Sequence, residues 1–459
     1  MISFDKINEF DRLYHVWNHY FRWAHNKLYY KQIQVIGYEN LPPKGYPIFV
    51  ISNHLNALMD PLAILYLFKD KRQPVFIARG DIFKKSDFIA KILRFLKILP
   101  TFRSRDGSRS DVRSNELTFD LAARILNEKG TLMMFPEAGH QQGRYFVSFK
   151  KGFPRIAFRA AEMSDYKLDF RIVPMYIYYT EQHHCGEKQA VVIGEPFTIE
   201  EFYELYKTEP NRAFLQMNEK ARERVRALGI DVTDHDHYSQ YDTLMTVCRS
   251  KEIALQKLPE KEPYSALQAD KKTVARVNSV KENQPDTFAE LMDMAAEYRA
   301  GLEKLRLRDW LFDQPAIAVK TLILKILLYV IGFPFYLFGL INNFIPFKSP
   351  NPITRKLKDQ AFASTVNFAL PVILVFPLWY LILFIVALCL ANWWIAILYV
   401  AATFACLFLY FRYKKSFIKF CGQWRYRCYQ KKGNAAFLRL QELRQRIRGI
   451  VFPIEGEGA

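Results

Sequence analysis

No charged residue occurs between Asp359 and Arg412, and an uncharged run of that length leaves a chain few ways to fold. Within it, Phe368 to Ala391 and Trp393 to Phe411 are each long enough to cross the hydrocarbon core of a bilayer as a helix. Asn392, Trp393 and Trp394 supply an interfacial turn between them. A soluble hairpin of this composition would need a partner covering both helices on every side, so a transmembrane hairpin is expected. Lys348, Arg355, Lys356 and Lys358 precede it, and between Arg412 and Arg448 there are twelve basic residues against one acidic residue, Glu442. More than half of the formal charge of +19 therefore lies in one segment after the hairpin. Both flanks are expected on the cytoplasmic face. Residues 412–459 then form a basic cytoplasmic tail. Its juxtamembrane position favours anionic membrane lipid over nucleic acid as the partner.

An earlier uncharged run, Ile326 to Phe347, is interrupted by Gly332, Pro334, Gly339, Asn342, Asn343 and Pro346. A full crossing there would put the N-terminal part of the chain in the opposite compartment. Residues 326–347 are therefore expected to be re-entrant or interfacial within a membrane region of 313–411. At the other end of the chain, Phe10, Leu13, Tyr14, Trp17, Tyr20, Phe21 and Leu28 recur at helical intervals. Residues 1–33 thus read as an amphipathic helix, lying on a bilayer surface or on the neighbouring domain. The six cysteines show neither zinc nor redox spacing and suit reduced thiols. His183-His184-Cys185 has no second ligand cluster, so no metal site is expected.

Between these ends the chain alternates. Strand-like runs start at Gln34 and Tyr46 and recur at Pro74 to Ala78, Thr131 to Phe135, Arg171 to Tyr179 and Ala190 to Ile193. Helix-like segments separate most of them: Pro61 to Phe68, Asp87 to Leu96, Arg113 to Asn127 and Phe153 to Glu162. The pattern predicts an α/β domain over 34–198, a central sheet covered by helices. A mostly helical region follows over 199–312, and Leu258 to Pro285, rich in charge and poor in periodicity, reads as a loose linker.

Two motifs carry chemistry. Asn53-His54-Leu55-Asn56-Ala57-Leu58-Met59-Asp60-Pro61 follows a predicted buried strand. Histidine is the side chain suited to accept a proton near neutral pH, and a carboxylate on its other ring nitrogen holds the ring and stabilises the imidazolium. The same residues also read as a helix start, with Asp60 as N-cap and Pro61 in the first turn. The second motif, Phe135-Pro136-Glu137-Ala138-Gly139-His140, ends a later strand.

Together these motifs resemble the glycerol-phosphate acyltransferase superfamily, which carries a His…Asp motif after one strand and a Phe-Pro-Glu-Gly-type motif after a later one. Phe102-Arg103-Ser104-Arg105-Asp106 resembles its intervening arginine motif, and Ile172-Val173-Pro174-Met175 its late Val-Pro motif. Phe149-Lys150-Lys151-Gly152-Phe153 resembles the basic helix start after the glutamate motif. The resemblance spans about Gln34 to Pro196. Two departures stand out. Five residues separate His54 from Asp60 where many members have four, a spacing similar to that of some fungal glycerol-3-phosphate acyltransferases. Ala138 and Gly139 stand where the family usually has Gly and often a small hydroxyl residue.

The resemblance implies that His54 is the general base and Asp60 its orienting partner. Arg103 or Arg105 would hold the acceptor phosphate, and Glu137 would position the acceptor. Gly139 would admit substrate to the backbone, and Lys150 and Lys151 would steer the anionic donor. No cofactor is implied. Acyl-CoA or acyl carrier protein is the thioester donor, and glycerol-3-phosphate or 1-acylglycerol-3-phosphate is the acceptor. A membrane-bound O-acyltransferase of phospholipid biosynthesis is thus expected. A catalytically silent lipid-binding scaffold and a phospholipid transacylase are the alternatives.

Overall fold

A computed structural model describes residues 4, 6–65, 67–68, 70–84, 86–102, 109–137 and 139–453. The chain forms two compact units. The first comprises Met1–Thr233, Glu262–Leu267 and Asp359–Thr365; the second comprises Asp234–Lys261, Gln268–Lys358 and Val366–Ala459.

The first unit is built on a seven-stranded sheet: β1 (Gln32–Ile36), β2 (Ile48–Ser52), β3 (Val75–Arg79), β4 (Ile98–Thr101), β5 (Thr131–Met134), β6 (Arg171–Tyr179) and β7 (Lys188–Ile193). Their order is β1-β7-β6-β2-β5-β3-β4. Every neighbouring pair is parallel except β6–β7. β2 lies at the centre, and all five of its residues are buried. A strand covered on both faces needs an unbroken apolar run, which Ile48-Phe49-Val50-Ile51 provides. The helices Met59–Leu65, Asp87–Phe95, Arg109–Asn127 and Gly152–Met163 alternate with the strands. The α/β architecture expected for this part of the chain is the one found. β4 is an additional edge strand, paired only with β3.

Register determines where the site lies. Ile51 of β2 pairs with Met134 of β5, and Ser52 pairs with Met175 of β6. The loops that follow β2 and β5, bearing His54 and Glu137, therefore leave adjacent strands at the same edge. This is the carboxyl edge, where open α/β sheets hold their ligands. At the N-terminus, the helix Arg12–Trp23 is capped by Asp11, whose carboxylate accepts from Tyr14 N at 2.9 Å. Its Tyr14 and Asn18 are buried, whereas Leu13, Val16 and Trp23 are exposed. Tyr203–Thr208 and Pro210–Leu228, expected in a separate helical region, belong to the sheet's unit.

Two expectations about the rest of the chain are corrected. Residues 258–285 are not a loose linker, because Pro263–Asn283 is a helix. Its buried positions include Ser265, Ala266, Leu267, Ala269, Asp270, Thr273, Val274 and Val277. The stripe has helical spacing, but small and polar residues make up much of it, so apolar periodicity is faint. Nor do residues 412–453 form a separate tail. Trp393–Lys432 is one helix of 40 residues. Ala435–Val451 buries Phe437, Leu440, Leu443 and Ile447, and its arginines are paired within the unit: Arg439 with Glu297 at 2.8 Å, Arg444 with Asp309 at 2.8 Å, and Arg446 with Glu290.

Val319–Asn342, Ala361–Leu390 and Trp393–Lys432 are long and apolar enough to cross a membrane, by length and composition. The stretch expected as re-entrant starts inside the first of these, a continuous helix of 24 residues with Pro334 in its interior. That helix runs antiparallel along Trp393–Lys432. Lys325 Nζ donates to Gln423 Oε1 at 2.8 Å, Tyr329 bonds Ser416 at 2.8 Å, and Gly339 abuts the Cys406 backbone. Asn343 Nδ2 reaches the Thr403 carbonyl at 3.5 Å. The chain then turns back, and the Phe347 ring stacks on Tyr410 at 4.5 Å.

Candidate active site

The His54 and Asp60 side chains meet. His54 Nδ1 lies 2.8 Å from Asp60 Oδ2, and the same oxygen accepts the backbone N–H groups of Leu55 and Asn56, each at 2.7 Å. The other carboxylate oxygen accepts the Tyr179 hydroxyl. Asp60 is fully buried, yet four donors surround its charge, as a buried carboxylate requires. These bonds also separate the two readings of the motif. Asp60 lies inside Met59–Leu65 and accepts from the loop before the helix, so it orients His54 and does not act as an N-cap.

The five-residue separation fits because Ala57 takes a left-handed conformation with φ 38°, tightening the loop between the two side chains. The rest of the loop is pinned by Asn53, whose amide donates to the Ile177 carbonyl at 3.0 Å while its oxygen accepts Ile177 N at 2.7 Å. The Asn56 side-chain amide donates to the Gln182 carbonyl, and the Gln182 side-chain amide donates to the Leu55 carbonyl, across the same gap. His54 is thus fixed at Nδ1, and its ring stacks on Phe135 at 4.2 Å and 16°. Nε2 has no hydrogen-bond partner among the described residues, and the side chain is 16% exposed. An imidazole with a carboxylate on one nitrogen and the other nitrogen open can take a proton from a bound hydroxyl.

Beneath this pair lies a layer that sequence reasoning missed. Burial, then the charge of Asp60, holds the hydroxyl of Tyr179 protonated well above the usual tyrosine range, and burial does the same for Tyr30. Burial pushes His25 down to about 4, so it stays neutral near the Asp60 carboxylate. Tyr179 ends a strand that was legible in the sequence, but no local pattern connects it with Asp60, 119 residues away.

Glu137 is also buried, and neither carboxyl oxygen makes a hydrogen bond of good geometry among the described residues. Burial raises it to about 8. Gln141 and the backbone of His54 oppose that rise, and Asp60 and Asp231 add to it. Glu137 is therefore an acid near neutrality that can donate or accept at the site. Its segment is tied to the base: Gln141 N donates to the His54 carbonyl at 2.8 Å, and Lys150 N donates to the Pro136 carbonyl at 2.9 Å.

The remaining predicted residues are placed as follows. Gly139 is half-buried beside Glu137, and its carbonyl receives Gln141 Nε2 at 3.3 Å. Lys150 and Lys151 are exposed at the start of Gly152–Met163, and Lys151 Nζ reaches Asn211 Oδ1 at 3.4 Å. Arg103 and Arg105 lie outside the described residues. The strand end leading to them is clamped by Asn115, which accepts Phe102 N and donates to the Phe102 carbonyl, both at 2.7 Å. His183 lies near the Ser364 hydroxyl, and no group of three or more metal-ligating side chains occurs among the described residues.

Residues 32–178 match the family described as Acyltransferase. No curated protein matches the chain. Among solved structures, the 1-acyl-sn-glycerophosphate (LPA) acyltransferase PlsC from Thermotoga maritima is similar at 21% identity, covering 49% of this chain and 80% of that one, with a TM-score of 0.31. The family match spans both motifs and the strands β2 and β5 that precede them. Residues 32–178 of this chain are thus similar to the Acyltransferase family.

Proposed function

We propose that the protein is a membrane-bound O-acyltransferase that moves a fatty acyl group from an acyl thioester to glycerol-3-phosphate or 1-acylglycerol-3-phosphate, a step of phospholipid biosynthesis. The observation that carries the reading is the His54–Asp60 pair, fixed at 2.8 Å with Nε2 open. The acceptor hydroxyl gives its proton to His54 Nε2, and its oxygen attacks the thioester carbonyl. The C–O bond forms, the C–S bond breaks, and the leaving thiolate takes the proton back. A positioned base of this kind contributes about 10²–10⁴-fold. No serine or cysteine nucleophile is needed, because the acceptor supplies its own oxygen.

In this reading Glu137 positions the acceptor, and Arg103 or Arg105 holds its phosphate through the guanidinium fork. Lys150 and Lys151, being exposed, steer the anionic donor toward the site. Phe368 to Ala391 and Trp393 to Phe411 form the membrane hairpin. Val319–Asn342 dips in and returns. Three features support that topology: its antiparallel run beside Trp393–Lys432 ends level with Thr403, Phe347 returns to Tyr410, and basic residues flank each end of the hairpin. The catalytic unit then faces the cytoplasmic leaflet.

The test uses the full-length protein in detergent with a labelled acyl-CoA, and separately with acyl carrier protein, against each acceptor. Transfer to one acceptor is expected and names it. Absence of transfer to both acceptors from both donors would overturn the reading.

A further inference from the structure

Beside the His54–Asp60 pair stands a second pair of the same kind. His140 closes the glutamate motif, and its Nε2 lies 2.6 Å from Asp359 Oδ2, a residue 219 positions away. Asp359 precedes the helix Gln360–Ala369, and within the first unit it belongs to Asp359–Thr365, which reaches the catalytic loops. The Thr365 hydroxyl accepts Leu58 N at 3.2 Å, and the Phe362 ring packs edge-on against His140 at 5.2 Å. Although partial burial opposes it, the hydrogen bond and charge of His140 hold the Asp359 carboxyl below its usual range, with help from the N–H groups of Ala361 and Phe362.

The two histidine rings are perpendicular, at 88°, with centroids 5.7 Å apart. Their spacing is constrained, because Gln141 N, next in the chain to His140, donates to the His54 carbonyl at 2.8 Å. Each ring has one nitrogen committed to a carboxylate and the other without a partner among the described residues. The His140 side chain is 15% exposed, close to the 16% of His54. Hydrogen bonds of about 2.9 Å from two rings at this separation can converge on one small centre between them. Acyl transfer has such a centre: the oxygen that loses its proton and the carbonyl oxygen that gains charge are bonded to the same carbon in the transition state. A base alone serves only the first of these, and a donor aimed at the second is usually the larger contribution.

Resting on the acyltransferase reading above, we propose that His140 is a second catalytic residue. Its protonated ring donates from Nδ1 to the oxyanion of the tetrahedral intermediate, and Asp359 is the positioning residue that holds it there. Protons balance without a new reactant. His54 takes the hydroxyl proton and returns it to the thiolate, while His140 keeps its own throughout. The catalytic centre is then completed by a residue far outside the stretch 32–178 that matches the family.

Two variants of the full-length protein in detergent separate a donor from a structural latch. His140→Asn places an amide N–H where Nδ1 was and gives up Asp359. His140→Gln reaches Asp359 and leaves the Nδ1 position empty. With donor and acceptor saturated in turn, His140→Gln is expected to lose about 10²–10³-fold in kcat with KM little changed, the loss typical of removing one oxyanion donor. His140→Asn is expected to keep kcat within about tenfold of the unaltered protein, and His140→Ala to match His140→Gln. Tm in detergent checks that the variants fold. Wild-type kcat in His140→Gln, or an Asn variant as slow as the Ala variant, would overturn the proposal. Transfer that needs His54 but is indifferent to His140 would overturn this inference alone. No transfer by the unaltered protein would overturn the acyltransferase reading and this one with it.

Discussion

At the scale of single residues, the His54–Asp60 pair was legible because it is local: a strand end, a tight loop and a helix start bring side chains six positions apart together. What Asp60 rests on was not legible. Tyr179 and Asp359 reach the site through sheet register and through a segment beyond the second unit's first helices, and no spacing rule in a single sequence encodes either. Glu137 was legible as a motif residue but not as a raised acid, because its shift comes from burial among neighbours that only the fold assembles. That shift has a consequence for stability. The ordinary glutamate value is 4.5 and the folded value is about 8, so over that interval the unfolded chain releases its proton first. Stability therefore falls as pH rises from about 4.5 to about 8, and Glu137→Gln removes that loss. At pH 8 the variant should be more stable than the unaltered protein by about 1–3 kcal/mol, with the difference shrinking toward pH 5. Thermal unfolding in detergent across that range checks it. A pH-independent difference would show that Glu137 ionises freely in the folded protein.

At the scale of elements, periodicity succeeded where one face is apolar and failed where burial is shared with polar groups. Six of the strands follow from short apolar runs, whereas β4 was overlooked because Ile98-Leu99-Pro100-Thr101 contains a proline. As an edge strand, paired only with β3, it tolerates one. Pro263–Asn283 was hidden for the opposite reason, since its buried stripe includes Asp270, which pairs with Arg249 at 2.8 Å. Val319–Asn342 combines both lessons: glycine, proline and asparagine read as interruptions, yet the helix is continuous. Polar groups at its far end are satisfied within the second unit, with Trp379 Nε1 donating to the Asn342 carbonyl at 2.6 Å and the Tyr380 hydroxyl to Asn343 Oδ1 at 2.8 Å. Backbone and amide groups at membrane depth need such partners. The re-entrant reading predicts that single cysteines replacing Lys320 and Lys356, in a cysteine-free background, react with an impermeant maleimide from the same side of sealed vesicles. Labelling from opposite sides would make the helix a full crossing.

At the scale of the whole molecule, the parts agree on one use. The sheet brings two distant motifs to one edge, the histidine there is held by a carboxylate buried among four donors, and the apolar helices carry the composition of a membrane segment. Acceptor and donor identity were not legible in the sequence, and Arg103 and Arg105 of the arginine motif that would select them lie outside the described residues. The central claim is that His54 takes the acceptor's proton. It is tested most directly by comparing acyl transfer by His54→Ala with that of the unaltered protein, under conditions in which both remain folded. The account predicts a loss of about 10²–10⁴-fold in kcat with the detergent Tm little changed. Undiminished transfer by the variant would contradict it.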